Sequence, residues 1–207
     1  MANSQTRRQL RREETIAQIL ALAVELMSAE GVAALSLSDV ARRLGIQPPS
    51  LFKYFPSKLA LYDALFAEGA RQVLAEFRGA VREAEPGVPA LRAAVAAVGR
   101  WGLANQALAQ LLFWRPVPRF VPSQKSFAPA VEFVDEIGEV LRAAVSSRQL
   151  RPEAAEEPAQ ALLSTLIAGA MTQQMANEPD AAFEDGRFTS LLPRLIDMFV
   201  AAHGGKL

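Results

Sequence analysis

Residues 36–65 read SLSDVARRLGIQPPSLFKYFPSKLALYDAL, and this stretch decides the fold. Ser36 stands where a helix N-cap is wanted, with Asp39 three residues on in capping-box spacing, so that side-chain oxygens can satisfy the first free backbone N–H groups. Val40, Ala41 and Leu44 share one face of the helix that follows. Gly45 tolerates the positive φ that stops it. Pro48 and Pro49 suit the first turn of a second helix, where a missing N–H costs little, and Pro56 ends that helix near Tyr54. Ser57 then caps a third, longer helix with Lys58 at its mouth.

Two short helices joined by a tight glycine-containing turn predict a helix-turn-helix, in which small Ala41, one helical turn before Gly45, lets the second helix cross closely. The second helix is the reader. Its outward positions Gln47, Ser50, Lys53 and Tyr54 offer amide, hydroxyl and ammonium groups, whereas Leu51 and Phe55, at i and i+4, face inward.

These residues resemble the TetR family of bacterial transcription regulators, whose signature is a capped helix of the form T-v-x-d-I-A-x-x-x-G-v and a short helix ending Y-x-Y/H-F-x-s-K. The matching residues are Ser36, Leu37, Asp39, Val40, Ala41, Gly45, Ile46, Leu51, Tyr54, Phe55, Ser57 and Lys58. Where the family has a tyrosine whose hydroxyl meets a DNA phosphate, this chain has Phe52, which keeps the ring and lacks the hydroxyl. The motif covers under a third of the chain; the rest matches in length and helical character.

The resemblance implies an all-α protein, with an N-terminal three-helix helix-turn-helix DNA-binding domain over 1–57 joined to a larger helical ligand-binding and dimerisation domain over 58–207. It implies three partners: a double-stranded DNA operator, a second copy of the chain, and a small organic effector. Candidate DNA contacts are Ser36, Ser38, Gln47, Pro48, Pro49, Ser50, Phe52, Lys53, Tyr54 and Lys58.

The totals agree with a globular regulator. At 207 residues and 51% hydrophobic, the chain can bury a substantial core. Its richest apolar stretch, Ala159 to Met175, is interrupted by Gln160, Ser164, Thr165, Thr172, Gln173 and Gln174, so no membrane span is expected. The opening residues MANSQTRRQLRREE carry arginines without the apolar segment of an export signal, and a cytoplasmic location is expected. Basic and acidic residues balance at 22 each, but residues 1–58 hold eight basic and five acidic side chains, a formal +3 against −3 in the remainder. The basic end is the reader end, as phosphate attraction requires.

Arg7, Arg8, Arg11 and Arg12 open a helix expected from about Thr6 to Ala29, with Ile16, Ile19, Leu20, Ala23, Leu26 and Met27 as its buried stripe. The arginines either touch DNA as an N-terminal arm or form a solvated helix start. A connector helix follows from Lys58 to about Glu85, then helices over Ala90–Trp114, Phe127–Ser147, Pro152 or Pro158 to Asn177, and Phe188–Ala202. The segment RPVPRFVPSQKSFAP between Trp114 and Ala130 is long for a helix connection and reads either as a lid over a cavity or as a rigid strap, with Phe120 and Val121 packing against the C-terminal body. In the next-to-last helix Ala159, Ala161, Ser164, Ala168, Gly169 and Ala170 permit close approach. The family resemblance implies that the last two helices pair across a two-fold axis, with Leu162, Leu163, Leu166, Leu191, Leu195, Phe199 and Val200 as apolar stripes. The alternative is an intramolecular helix pair.

Catalytic equipment is sparse. The one histidine, His203, sits beside a C-terminal Gly-Gly pair and is expected to be exposed tail; cysteine is absent, so no catalytic residue, metal site or cofactor is expected. The adjacent carboxylates Glu13–Glu14, Asp135–Glu136 and Glu156–Glu157 diverge by about 100° on a helix and cannot converge as an acid–base pair. In the C-terminal body, Trp101, Phe113, Trp114, Phe120, Phe127, Phe133, Met171 and Met175 are spread over several helices, with Asn105 and Thr172 among the nearby polar anchors. They read either as ordinary core or as the lining of a site for a small, mostly apolar effector. The function expected is a homodimeric repressor released from a palindromic operator by that effector. The alternatives are a DNA-binding dimer without a ligand and, disfavoured by its chemistry, a small helical enzyme.

Overall fold

The computed structural model describes residues 2–205, with side chains from Arg7 to Gly205. The reading of the first residues as lacking an export signal therefore falls partly outside the described side chains. Within the described residues the chain is helical: α1 (Ala2–Glu30), α2 (Leu37–Leu44), α3 (Pro48–Leu51), α4 (Lys58–Glu83), α5 (Val88–Ala104), α6 (Gln106–Phe113), α7 (Gln124–Ser146), α8 (Glu157–Asn177) and α9 (Leu192–His203), with short 3₁₀ turns between some of them. No described helix is long and apolar enough to cross a membrane.

The helices gather into two compact units, one containing the chain up to Gly69 together with Ala107–Phe127, the other Ala70–Gln106 together with the chain from Ala128 onward. In the first unit, Ile19, Ala23, Leu26 and Met27 of α1 are buried, as their spacing predicts, with Val40 and Ala41 of α2, Leu51 of α3 and Leu61, Tyr62, Leu65 and Phe66 of α4. The Tyr62 hydroxyl donates to the Val32 carbonyl at 2.5 Å, tying α4 to the turn before α2. Burial of this phenol pushes its pKa up to about 12.

The Pro-rich segment belongs to this same unit. Phe120 is buried, its ring 5.8 Å from Tyr62 and 6.2 Å from Phe66, while Phe127 stacks on Phe66 at 5.9 Å. The expected packing against the C-terminal body is therefore corrected: Phe120 completes the aromatic cluster of α4, and Val121 is 79% exposed. The strap is also shorter than its prolines suggest, because Pro129 lies inside α7. It forfeits only one backbone bond near that helix's start.

The second unit packs Phe77 of α4 with Leu91, Ala94 and Val95 of α5, Val140, Leu141 and Ala144 of α7, Leu163 and Met171 of α8, and Leu192, Ile196 and Phe199 of α9. The helix expected over Ala90–Trp114 divides at Asn105, whose φ of −127° and ψ of 46° leave helical geometry. Both its backbone N–H and its side-chain amide donate to the Trp101 carbonyl at 2.9 Å. An asparagine side chain that competes for a helix carbonyl favours such a break. Gln174, fully buried, accepts from the Phe188 and Thr189 N–H groups at 2.9 and 3.3 Å and so fixes the turn leading into α9.

Candidate nucleic-acid interface

The reversal between α2 and α3 follows from Gly45. At φ 71° and ψ 24° it is left-handed, its N–H bonds the Arg42 carbonyl at 3.1 Å, and the Ile46 N–H bonds that of Ala41 at 3.0 Å. This paired bonding satisfies the last carbonyls of α2 and turns the chain. The next helix is shorter than expected, ending at Leu51 rather than Tyr54. Both the Tyr54 and Phe55 N–H groups converge on the Leu51 carbonyl, at 2.9 and 3.0 Å, tightening the final turn before Pro56.

Leu51 and Phe55 are buried and anchor this turn to the core. Gln47, Pro49, Phe52 and Lys53 are consequently exposed, Pro48, Ser50 and Tyr54 half-buried, Ser38 exposed on α2 and Ser36 half-buried before it. Together with Lys58, the ten sequence-predicted contacts lie in one compact unit. Their groups suit a duplex: amide and ammonium side chains reach base edges, and hydroxyls reach bases or phosphates.

One expectation changes. Ser36 occupies the N-cap position but its side chain makes no capping bond, and Asp39 instead pairs with Arg42 at 2.6 Å one turn along. A guanidinium within reach competes with the backbone donors for that carboxylate. Lys58, one of the candidate DNA contacts, donates to the Ala33 carbonyl at 2.9 Å and lies 5.6 Å from the Tyr62 ring. Its ammonium carries three donors, so this bond leaves capacity for a second acceptor. Ser57 behaves as expected, accepting the Ala60 N–H at 3.1 Å. Arg12 lies 5.3 Å over the Tyr54 ring, which sets one arginine of α1 beside the reader.

No motif or spacing singles out Asp63. Its carboxylate accepts the Ser123 N–H at 2.7 Å, the Ser123 hydroxyl at 2.9 Å and the Ser126 hydroxyl at 2.7 Å. Burial pushes this carboxyl up, but the Ser123 backbone and the Ser126 and Ser123 hydroxyls together hold it below its usual value. Asp63 thereby clasps the start of α7 to the second turn of α4.

The predicted effector residues separate into two sets. Phe113 and Trp114 are exposed, and Phe120 and Phe127 join the α4 aromatic cluster, all in the first unit. In the second unit, Trp101 is buried with its indole N–H donating to Gln72 at 3.3 Å, Asn105 bonds Trp101, and Phe133 meets Phe77 edge-on at 5.4 Å. Met171 and Met175 lie beside Gly102, where an added Cβ would come within 3.1 and 3.6 Å of their methyl groups. Thr172 is exposed on α8. An open groove of about 530 Å³ runs between α4 and α5, lined by Gly79, several alanines, Glu76, Glu83 and Arg100, and includes none of these residues. Among the described residues no cluster of three histidine, aspartate or glutamate side chains could hold a metal ion.

Residues 19–65 match the family model of the bacterial regulatory proteins, tetR family. Over 88 residues the chain is 34% identical to the HTH-type transcriptional activator FasR of Mycolicibacterium smegmatis, a match spanning 42% of this chain and 40% of that protein. Its fold is similar to that of a protein of unknown function from Rhodococcus sp. RHA1, with a TM-score of 0.76 at 22% identity over 91% of this chain and 94% of the other. The TetR family transcriptional regulator PfmR from Thermus thermophilus gives a TM-score of 0.68 at 21% identity, over 88% and 97% of the two chains.

Proposed function

We propose, from the premise that this chain belongs to the TetR family of bacterial regulatory proteins, that it is a cytoplasmic homodimeric repressor that binds a palindromic operator and is released by a small apolar effector. The observation that carries DNA binding is the reader itself, with Gln47 and Lys53 exposed on a turn whose back, Leu51 and Phe55, is locked into the core. Catalysis has no part in this reading.

Dimerisation draws support from α8 and α9. The uncharged run Pro158–Asn177 presents Leu162 at 46% exposure, with Thr165, Gly169, Thr172 and Ala176 at helical spacing on the same open side. The Thr165 hydroxyl donates to the Ala161 carbonyl at 2.8 Å, which turns its polarity back into the helix. On α9, Met198 is 57% exposed. Of the predicted stripe, Leu163 and Phe199 are buried in the unit's own core, whereas Leu162 and Leu191 are exposed and open to a second copy.

Selection of bound fragments from random DNA by the purified chain tests the whole reading. The expected product is an inverted repeat with half-site centres about 34 Å, or a multiple of that, apart. Inserting half a helical turn between the half-sites should abolish tight binding; unchanged affinity would refute rigidly coupled readers. Transcription from that operator should fall when the chain is added, and a rise would assign it the activator sense that FasR bears in its name.

One observation favours a second reading, a DNA-binding dimer without an effector: Trp101 and Asn105 satisfy their polar groups within the protein, and Met171 and Met175 already pack beside Gly102. A library of apolar compounds that never raises the melting temperature would decide for it. A compound that does raise it should bind more weakly in the presence of operator, by the same factor, about 5- to 150-fold, by which it weakens DNA binding.

A further inference from the structure

Phe52 is the residue on the reader that its polar chemistry leaves unexplained. The ring is 48% exposed although Leu51 and Phe55, its neighbours in sequence, fill the inward positions at 1% and 6%. Its direction is set by the backbone, since the Phe52 N–H donates to the Pro48 carbonyl at 3.3 Å and its φ of −61° and ψ of −19° are helical. One helical turn earlier on the same side stands exposed Pro49, and exposed Lys53 follows in sequence. The reader thus presents an apolar edge next to its hydrogen-bonding groups.

A phenyl ring has no donor or acceptor, so against a phosphate it would displace water and return no hydrogen bond. The major-groove edges of the four base pairs consist of donors and acceptors with one exception, the C5-methyl group of thymine. Building on the DNA-binding reading above, we infer that Phe52 is a specificity-determining residue that packs on a thymine C5-methyl in each operator half-site. Gln47, Ser50 and Lys53 read hydrogen-bonding edges, and Phe52 reads a methyl beside them. The same ring would accept 5-methylcytosine, the other base carrying that methyl, and would discriminate against guanine and unmodified cytosine, whose polar edges it would leave unpaired.

The test uses the full chain and an operator selected from random DNA. Each thymine is replaced singly by deoxyuridine, which removes the methyl and leaves the hydrogen-bonding edge intact, and affinity is measured by fluorescence anisotropy. One thymine per half-site should show a loss of about fourfold, as expected for burial of one methyl-sized group; the other thymines should show none. Methylating a cytosine installed at that position should recover part of the loss. In Phe52→Ala the thymine and uracil operators should bind equally, whereas Phe52→Tyr, which retains the ring, should keep the ratio; matching melting temperatures exclude a folding defect in either variant. Equal binding of wild type to every uracil-substituted operator overturns the inference and leaves the DNA reading standing, as does discrimination that persists in Phe52→Ala. A chain that selects no sequence at all overturns both.

Discussion

The reader turn and the open side of α8 and α9 both leave apolar side chains in water, but they do so in opposite company. On the reader of Phe52, Gln47 and Lys53 are exposed, with Ser38 exposed on α2, each able to bond a polar partner. Around Leu162 the run Pro158–Asn177 has no charge at all, and Thr165 directs its hydroxyl to its own helix. The difference identifies the partner of each surface. A polar face with one ring suits a duplex, whose groove edges are hydrogen-bonding groups with occasional methyls, whereas the uncharged outer side of α8, with Leu162, Thr165, Gly169 and Ala176, suits another protein face.

The sharpest way to break this contrast is to put charge on the exposed apolar side chains of α8 and α9. Leu162→Glu combined with Met198→Glu alters side chains that are already exposed, so the folded monomer should survive. Light scattering should report a monomer, and operator affinity should fall about 10²- to 10⁴-fold as the two half-sites cease to be held together. A double variant that stays dimeric would remove α8 and α9 from the interface.

A smaller effect should come from the clasp that joins α4 to the start of α7. Asp63→Asn leaves two hydroxyls and one N–H facing an amide rather than a carboxylate, and should cost about 1–3 kcal/mol in unfolding free energy. The pH dependence has a definite sign. Because the folded Asp63 carboxyl lies below its usual value, its contribution is complete above the ordinary aspartate range and disappears as pH falls through the lowered folded value. Denaturant titrations from pH 7 downward should show a shallower acid loss for Asp63→Asn than for wild type; parallel curves would contradict the clasp.

Gly45→Val tests the turn between α2 and α3. Nothing lies within 4 Å of an added Cβ, so steric crowding is absent and the cost is that of holding a branched residue at φ 71°, about 1–2 kcal/mol. A lowered melting temperature with weakened DNA binding is expected, and α8 and α9 should still dimerise. The smallest effect should be Lys58→Ala, which removes the bond to the Ala33 carbonyl: about 1 kcal/mol of stability, and a uniform weakening across operator sequences if its remaining donors meet phosphate.

Much of the reader was legible because its determinants are local. The glycine that must be left-handed, the prolines that open α3, and the i, i+4 pair Leu51 and Phe55 act over a few residues, and each stands where its spacing places it. Two of the details that differed involve a competitor within reach. Asp39 found Arg42 rather than the helix start, and Asn105 found the Trp101 carbonyl and broke a helix that apolar periodicity had carried through. The effector residues were the least legible, since aromatic and methionine side chains at helical spacing have the same pattern whether they line a cavity or fill a core.

By itself the sequence determined that the chain is helical, that a helix-turn-helix occupies residues 36–58, and that its outward positions Gln47, Ser50, Lys53 and Tyr54 carry polar groups, because capping, positive φ and helical period are properties of neighbouring residues. Only the tertiary structure decided that the Pro-rich strap packs with the reader's unit, that Asp63 meets Ser123 and Ser126 sixty residues away, and that Lys58 ties back to Ala33. Those partners are chosen by which surfaces fold against each other, and hydrogen bonds between distant segments have no period in the chain to announce them.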